Sequence, residues 1–540
     1  LNCSRSDIHI FKMVRFTAFA LSVWATTHVV AAEQSVRKVT DNNPSRKLSP
    51  ERIGGYQPKS IVTDMNALDL DQKYMEIELA KETTTGYVNA QAIYQLGGNS
   101  KSYAEITLDD AIQFAIAKGT TVEGPSISGG RTFGTVYRNV PTGKRKVKIL
   151  YDTSEDQNTW VKCRVGALKA NQGLETSGCL YASGSVTIGG NSYSYEYVPL
   201  RENQNARTLV GLSSSVRPKM IDCSPGCPFE DANMFVNYYG MADYGDHWIT
   251  SAFNKRSTNF TRSNGNLGNA DFSIWADNND DALREVIKKG TVCLNVFMNV
   301  LRKFEESIVH CRSVCDSANC ANDPVETWDE GVALYMGSLE GIDGVGNGKM
   351  LHQLADKRCP NFKTCGINGG LIGPATSYVN HKLLRLFVSG QSQTENGQCG
   401  AARTTLESIT KHMYIPIIQG SIRYAYRVDK EFGGNKEKAE GAVFTAAVLP
   451  RIHAINPVAA QIIYDNMKVG AVSTSFSDVK AAYESVYSGM GISCVKIGGL
   501  VTSAGIYKSG ARPCTDDNET ADDDDKKTTD DDDKPMTDDD

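Results

Sequence analysis

Between residues 282 and 310, apolar side chains recur at Leu283, Ile287, Leu294, Phe297, Leu301, Phe304 and Ile308. Every step is three, four or seven residues, which keeps them on one face of a helix. An amphipathic helix has to bury that face against other elements, since packing rather than propensity holds most helices together. The same texture runs on. Helices are predicted over 325–340, 378–389, 402–414, 417–431, 436–449, 457–468 and 476–488. Pro324, Pro416, Pro450 and Pro457 read as joints between them. Residues 223–500 are therefore expected to form a multi-helix domain.

Residues 73–222 read differently. "KYMEIEL", "RTFGTVYRNV" and "KRKVKILYD" alternate or carry β-branched side chains, as strands do. "SGSVTIGGNSYSYEYVPL" predicts a hairpin: Ser185 to Ile188, a turn at Gly189-Gly190-Asn191, then Tyr193, Tyr195 and Tyr197 on one face. One helix is expected within this part, "TLDDAIQFAIAKG", capped by Thr107 and stopped by Gly119. The basic run 143–148 alternates into a strand and reads as a solvated edge. The fold class expected is α+β, a β-rich N-terminal part followed by a multi-helix domain.

The two ends read as neither. Met13 opens "MVRFTAFALSVWATTHVVAAEQS", with Arg15 as the charged start, an apolar run from Phe16 to Trp24 and small residues at 30–32. This is the pattern of a secretory signal peptide, so residues 1–32 are set aside as leader and 33–72 as a flexible segment. Residues 515–540 repeat runs of Asp and are expected to be disordered, because such a segment has no apolar surface to bury. Outside that tail the charges nearly balance and form no basic stripe, which argues against a nucleic-acid partner. No segment after the leader has the 18 or more apolar residues of a membrane span.

Fourteen cysteines in a secreted chain suggest disulfides. Cys163 with Cys179, Cys223 with Cys227, and Cys359 with Cys365 are plausible local pairs; the cluster Cys311, Cys315, Cys320 needs at least one partner from elsewhere. A zinc site in "CRSVCDSANC" is the weaker reading, given its irregular spacing. The expected location is secreted, in a periplasmic space or at the cell surface.

The segment "VETWDEGVALYMGSLEG", residues 325–341, carries four carboxylates and three glycines in what reads as a helix. Val325, Trp328, Val332, Tyr335, Met336 and Leu339 gather on one side at 100° per residue. Opposite lie Glu326, Glu330, Ala333, Gly337, Glu340 and Gly341. Small fillers between carboxylates let a backbone or an ion approach, whereas a solvated face favours Lys, Gln and Arg. Two readings stay open: a metal site, or an exposed acidic face with packing glycines. Glu330 and Glu340 stand about 15 Å apart along the axis, so a site has to choose one end.

Other donors suit a hard cation. Glu440 lies on the apolar side of "KAEGAVFTAAVLPRIH"; the alternative is a first-turn acid serving the helix dipole. "NYYGMADYGDHW" offers Tyr244 and Asp246, or is an aromatic loop with helix caps. "SIRYAYRVD" sets Tyr424 beside Arg423, which either holds a small anion bidentately or pairs with a surface acid. His381 and His453 read as hydrogen-bonded core or surface residues.

"ETWDEGVALYMGSLEG" together with "AEGAVFTAAVLP" resembles the algal low-iron-inducible periplasmic, or iron-assimilating, proteins and their relatives, the diatom phytotransferrins. The resemblance runs over roughly 225–495. It implies a secreted or surface-displayed protein that takes up ferric iron, with carbonate as a companion anion, and that works with a cell-surface reductase or uptake system. It assigns no ligand residue by residue. The metal candidates are therefore Glu326, Glu330, Glu340, Glu440, Tyr244, Asp246 and Tyr424, with Arg423 for the anion. The alternatives are a metal-dependent oxidase and a non-catalytic cell-wall or adhesion protein. No Glu-x-x-His, His-Glu-x-x-His or Gly-x-Ser-x-Gly pattern supports an enzyme.

Overall fold

The structure is a computed structural model describing residues 52–60, 62–97, 99–100, 104–125, 131–137, 139–151, 180–181, 183–197, 207–261, 268–277, 280–313, 324–367 and 376–516. The chain divides into two units, residues 1–48 and 49–540, and every described residue belongs to the second. The leader, the acidic tail from residue 517 and Cys163, Cys179, Cys315 and Cys320 lie outside the described residues.

Helices come before the sheet, which corrects the expectation of a β-rich N-terminal part. Helices α1 (Leu68–Leu79) and α2 (Thr84–Leu96) open the fold, α2 capped by the Thr83 side chain on Gly86 N–H. "KYMEIEL" lies in α1, not in a strand. Its alternation holds over a few residues, but Leu68, Met75 and Leu79 are the buried set and Ile77 faces solvent. Their spacing is helical, and the longer pattern wins. Residues 52–72, read as flexible, also pack: Tyr56, Met65 and Leu68 join the main core.

Six strands then close a barrel: β1 (Ala104–Leu108), β2 (Thr121–Pro125), β3 (Arg131–Val136), β4 (Lys146–Tyr151), β5 (Ser183–Ile188) and β6 (Asn191–Tyr197). Their order round the barrel is β1-β4-β3-β2-β5-β6, with β6 returning to β1 and all pairs antiparallel. The predicted hairpin is β5–β6, with Ile188 opposite Asn191 across Gly189 and Gly190. Both glycines have positive φ, 55° and 87°, as the tight hairpin turn demands. Ile106, Val122, Val147, Val186 and Tyr195 fill the interior as a core separate from the helical one.

The helix predicted over 107–119 is absent. Thr107 is in β1, and the following residues run irregularly across one end of the barrel. Ile112 and Ile116 have helical spacing, yet each is buried with the barrel core, and Ile116 pairs with Val140 as an isolated bridge. Tertiary plugging overrides the local period here.

The rest is helical: α3 (Glu230–Tyr239), α4 (Tyr244–Phe253), α5 (Asp280–Gly290), α6 (Phe297–Arg312), α7 (Pro324–Met336), α8 (Leu351–Phe362), α9 (Tyr378–Glu395), α10 (Cys399–Lys430), α11 (Asn435–Ile455) and α12 (Pro457–Met467), with shorter turns between. A π-helical stretch, Thr291–Val296, joins α5 to α6 and takes up the seven-residue step in the apolar pattern. All seven apolar residues of that pattern are buried. Pro324 and Pro457 do mark helix starts. Pro416 and Pro450 do not: α10 runs 32 residues through Pro416, and α11 runs 21 through Pro450. A proline inside a helix costs about 3 kcal/mol. Ile415, Ile417, Ile418, Val448, Leu449 and Ile452, all buried beside those prolines, outweigh it.

Four disulfides stand among the described residues: Cys223–Cys227, Cys311–Cys399, Cys359–Cys365 and Cys494–Cys514. Two are the predicted local pairs, and Cys311 finds its partner at the start of α10. Cys293, in the π-helical stretch, is a buried free thiol. Among the described residues no helix is long and apolar enough to cross a membrane. The disulfides fit an oxidising, extracellular compartment.

Candidate metal centre

Helix α7 carries two of the carboxylates singled out from sequence, Glu326 and Glu330, and a third, Glu340, follows in the turn after it. It is buried on both sides, from Thr327 to Met336. Gly331 explains part of this: a Cβ there would stand 2.8 Å from the Phe304 ring on α6. On the other side Trp328 donates its indole N–H to the Phe387 carbonyl at 2.9 Å. Asp329, not predicted as functional, is buried and satisfied. It accepts from the Tyr56 hydroxyl, from Gln391 at 2.7 Å and from the Lys59 and Ser60 N–H groups. It ties the segment before α1 to α7.

The two acids at the N-terminal end of α7 have cationic partners. Glu326 meets Lys118 of the barrel segment at 2.5 Å. Glu330 meets Lys303 at 2.7 Å and Arg207 at 3.3 Å. Burial pushes the Glu330 carboxyl up, but Lys303 and Arg207 outweigh burial and hold it down at about 2.

The other end is different. After α7 the chain turns through Gly337 (φ 78°) into a short 3-10 turn, Ser338–Glu340, and leaves it through Gly341 (φ 70°). Neither backbone conformation suits a residue with a side chain. The glycine-rich loop that follows folds over Glu340; a Cβ on Gly348 would lie 2.0 Å from Glu340 Oε1. Glu340 is 1% exposed, and neither of its carboxyl oxygens has a hydrogen-bond partner. Facing it is His352 on α8, 2% exposed, whose Nδ1 also lacks a hydrogen-bond partner. That nitrogen lies 3.6 Å from Glu340 Oε1 and 3.8 Å from Asp356 Oδ2, one helical turn further along α8.

A second layer holds these groups in place. Asp356 Oδ1 accepts from Ser377 N–H at 2.8 Å and from the Asn380 amide at 2.7 Å. Tyr335 donates its hydroxyl to the Asn380 amide oxygen at 2.7 Å. Asp69 on α1 accepts from the N–H groups of Leu339 and Lys349, each at 2.9 Å, and so clamps both ends of the loop. Burial raises the Asp69 carboxyl to about 7, against those two N–H groups and with the help of the Glu340 and Glu76 charges.

Glu440, Tyr424 and Arg423 come together at a separate place. Glu440 on α11 meets Lys289 Nζ at 3.0 Å. Lys289 also pairs with Glu285, and Lys288 reaches Glu285 at 2.8 Å. Tyr424 stacks on Phe444 with ring centroids 6.0 Å apart. The Arg423 guanidinium stands 4.9 Å from the Tyr424 ring centroid. Burial, reinforced by Glu440, raises the Tyr424 phenol, with Lys289 and Arg358 opposing.

Tyr244 and Asp246 join neither group. Tyr244 stacks on Tyr239, centroids 5.1 Å apart. Asp246 accepts from Thr250 at 2.8 Å and Tyr94 at 3.1 Å. His453 stacks edge-on with Tyr238, whereas His381, half-buried on α9, lies within the field of Asp356.

His352, Asp356 and Asp69 were missed from sequence. "HQLAD" places a His and an Asp one turn apart on one helix face, a spacing that suits shared ligation. Among the described residues, no three His, Cys, Asp or Glu side chains are gathered tightly enough to hold a metal ion as they stand. The Glu340–His352–Asp356 group is slightly wider than the 3.0–3.5 Å or so between two donors that sit about 2.1 Å from one ion. No family model, curated protein or solved structure matches this chain.

Proposed function

We propose that this protein is a secreted or cell-surface carrier that captures ferric iron for assimilation, with Glu340, His352 and Asp356 as its ligands. One observation carries the reading: Glu340 is sealed from water with both oxygens lacking a donor, opposite an equally unpartnered imidazole nitrogen. A buried carboxyl group in that position costs several kcal/mol, and a bound cation removes the cost. Two carboxylates and an imidazole are ligands that iron accepts, the carboxylates favouring the harder ferric ion. The resemblance to iron-assimilating proteins supplies the choice of iron, with carbonate as its companion and a reductase or uptake system as the recipient.

Within this reading the paired acids at the other end of α7 are structural. Glu330 and Lys303 neutralise each other, so no cation is needed there. The test is a ferric titration of the purified protein by calorimetry, iron being supplied as a weak chelate. Wild type binds; Glu340→Gln and His352→Gln each lose at least tenfold in affinity, about 1.4 kcal/mol. Glu326→Gln, which removes a surface partner of Lys118, stays within twofold. Equal isotherms for wild type and both core variants would remove the site. If carbonate accompanies the iron, degassed carbonate-free buffer weakens the wild-type isotherm. Turnover of ferrous iron with oxygen would instead identify an oxidase.

A further inference from the structure

We infer that Asn259 is the attachment site of an N-linked glycan. The inference rests on the secretory part of the reading above, and on neither iron nor its ligands. Asn259-Phe260-Thr261 is the one Asn-x-Ser/Thr sequence among the described residues; two others, at Asn2 and Asn518, lie outside them. Such triplets also occur by chance, so what matters is where the fold puts the three side chains. The triplet follows α4 in the chain and precedes the 3-10 turn Phe272–Trp275. Just before it, Ser257 pairs with Asp271 as an isolated antiparallel bridge, and the Thr258 N–H donates to the Ala270 carbonyl at 2.8 Å.

Pairing of this kind turns successive side chains alternately inward and outward. From 257 to 261 they run exposed, buried, exposed, buried, exposed. Thr258 and Phe260 are the inward pair, each 5% exposed. Phe260 packs on Tyr239 and His247, with ring centroids 4.6 and 5.1 Å apart, and its N–H donates to the Asn269 amide oxygen at 2.7 Å. The middle residue is thus an anchor, and Asn259 and Thr261 stand together on the outward face. Those are the two groups that the glycosyl transferase of a secretory membrane needs: the amide to be modified and a hydroxyl two residues on. The Asn259 N–H donates to His247 Nε2 at 3.1 Å, and the Asn259 side chain also meets that imidazole. In the transfer, Asn259 Nδ2 attacks C1 of an oligosaccharide carried on a lipid pyrophosphate. The N–C1 bond forms, the C1–O bond breaks with its electron pair leaving on the pyrophosphate, and one amide proton passes to base. The amide oxygen and the second N–H remain to serve the contact with His247. A glycan is bulky and hydrated, so the fold has room for it only where the acceptor faces solvent, as Asn259 does.

The experiment expresses the chain from Met13 in a eukaryotic host, once behind its own leader and once with residues 13–32 replaced by a leader of proven function. Peptide N-glycosidase in heavy-oxygen water is expected to turn Asn259 into labelled aspartate in most of the folded, secreted chains, read by peptide mass spectrometry. Thr261→Ala, which leaves the amide itself untouched, abolishes the label, and Thr261→Ser retains it. Attachment precedes folding, so a variant that folds poorly still reports on the acceptor. An unlabelled Asn259 in chains secreted behind the proven leader overturns the proposal. Label confined to aggregated or retained chains does so too, since the fold then excludes the glycan. Label behind the proven leader but not behind the chain's own upholds the acceptor and overturns the secretory reading.

Discussion

Glu330 shows how one side chain's role depends on what faces it. Taken alone it is a buried acid on a glycine-containing helix. Lys303 and Arg207 make it one end of a charge pair. Removing one partner of such a pair strands a buried charge, at a cost of about 3–5 kcal/mol. Arg207 stays beside Glu330 at 3.3 Å, so Lys303→Met is expected to destabilise the fold by less than that full amount, about 1–3 kcal/mol in urea unfolding. The pH dependence has a definite sign. The folded-state value of Glu330 lies below its unfolded value, near 2 against 4.5. Its contribution is present in full above the unfolded value and is lost as pH falls from about 4.5 towards 2. In Lys303→Met that part of the acid-unfolding slope is expected to shrink. An unchanged slope would mean that Glu330 is not the group responsible.

At the scale of elements, close helix contacts depend on glycines rather than on the prolines that seemed to divide the chain. Gly390 on α9 is the clearest case: a Cβ there would stand 1.8 Å from the Trp328 ring. Alanine gains about 1 kcal/mol of helix propensity over glycine. The clash works the other way, and overpacking typically costs about 1–3 kcal/mol. The ring is pinned by its hydrogen bond to Phe387 and packs on Phe304 at 4.5 Å, so it has little room to retreat. Gly390→Ala is therefore expected to lower stability despite its better propensity. A measured gain in urea midpoint would show that the helices can separate at no cost.

Across the molecule, Cys311–Cys399 joins the end of α6 to the start of α10 over 88 residues. Closing a loop of that length restricts the unfolded chain by about 4.6 kcal/mol in the chain-entropy account. The paired change Cys311→Ser with Cys399→Ser is expected to cost a comparable amount. The same change at Cys359 and Cys365, only six residues apart, should cost less by that account. Equal losses in calorimetric melting would point to strain or packing as the source.

What the sequence determined by itself is what local spacing can encode. The apolar period placed a helix over 282–310, which the structure interrupts with a π-helical stretch, and Gly189-Gly190 placed the hairpin turn. Cys223–Cys227 and Cys359–Cys365 followed from proximity along the chain. The small residues around Glu340 pointed to a buried acid, because only a close approach favours them. Short windows misled where tertiary contacts overruled them: α1 looked like a strand, Ile112 and Ile116 looked helical, and Pro416 looked like a break. Only the tertiary structure decided which acids are paired. Lys303, Arg207, Lys289 and Lys118 come from distant segments, and a carboxylate's partner across the core leaves no mark on its own neighbours in sequence. For the same reason His352 emerged as a candidate ligand only once α8 was seen packed against Glu340.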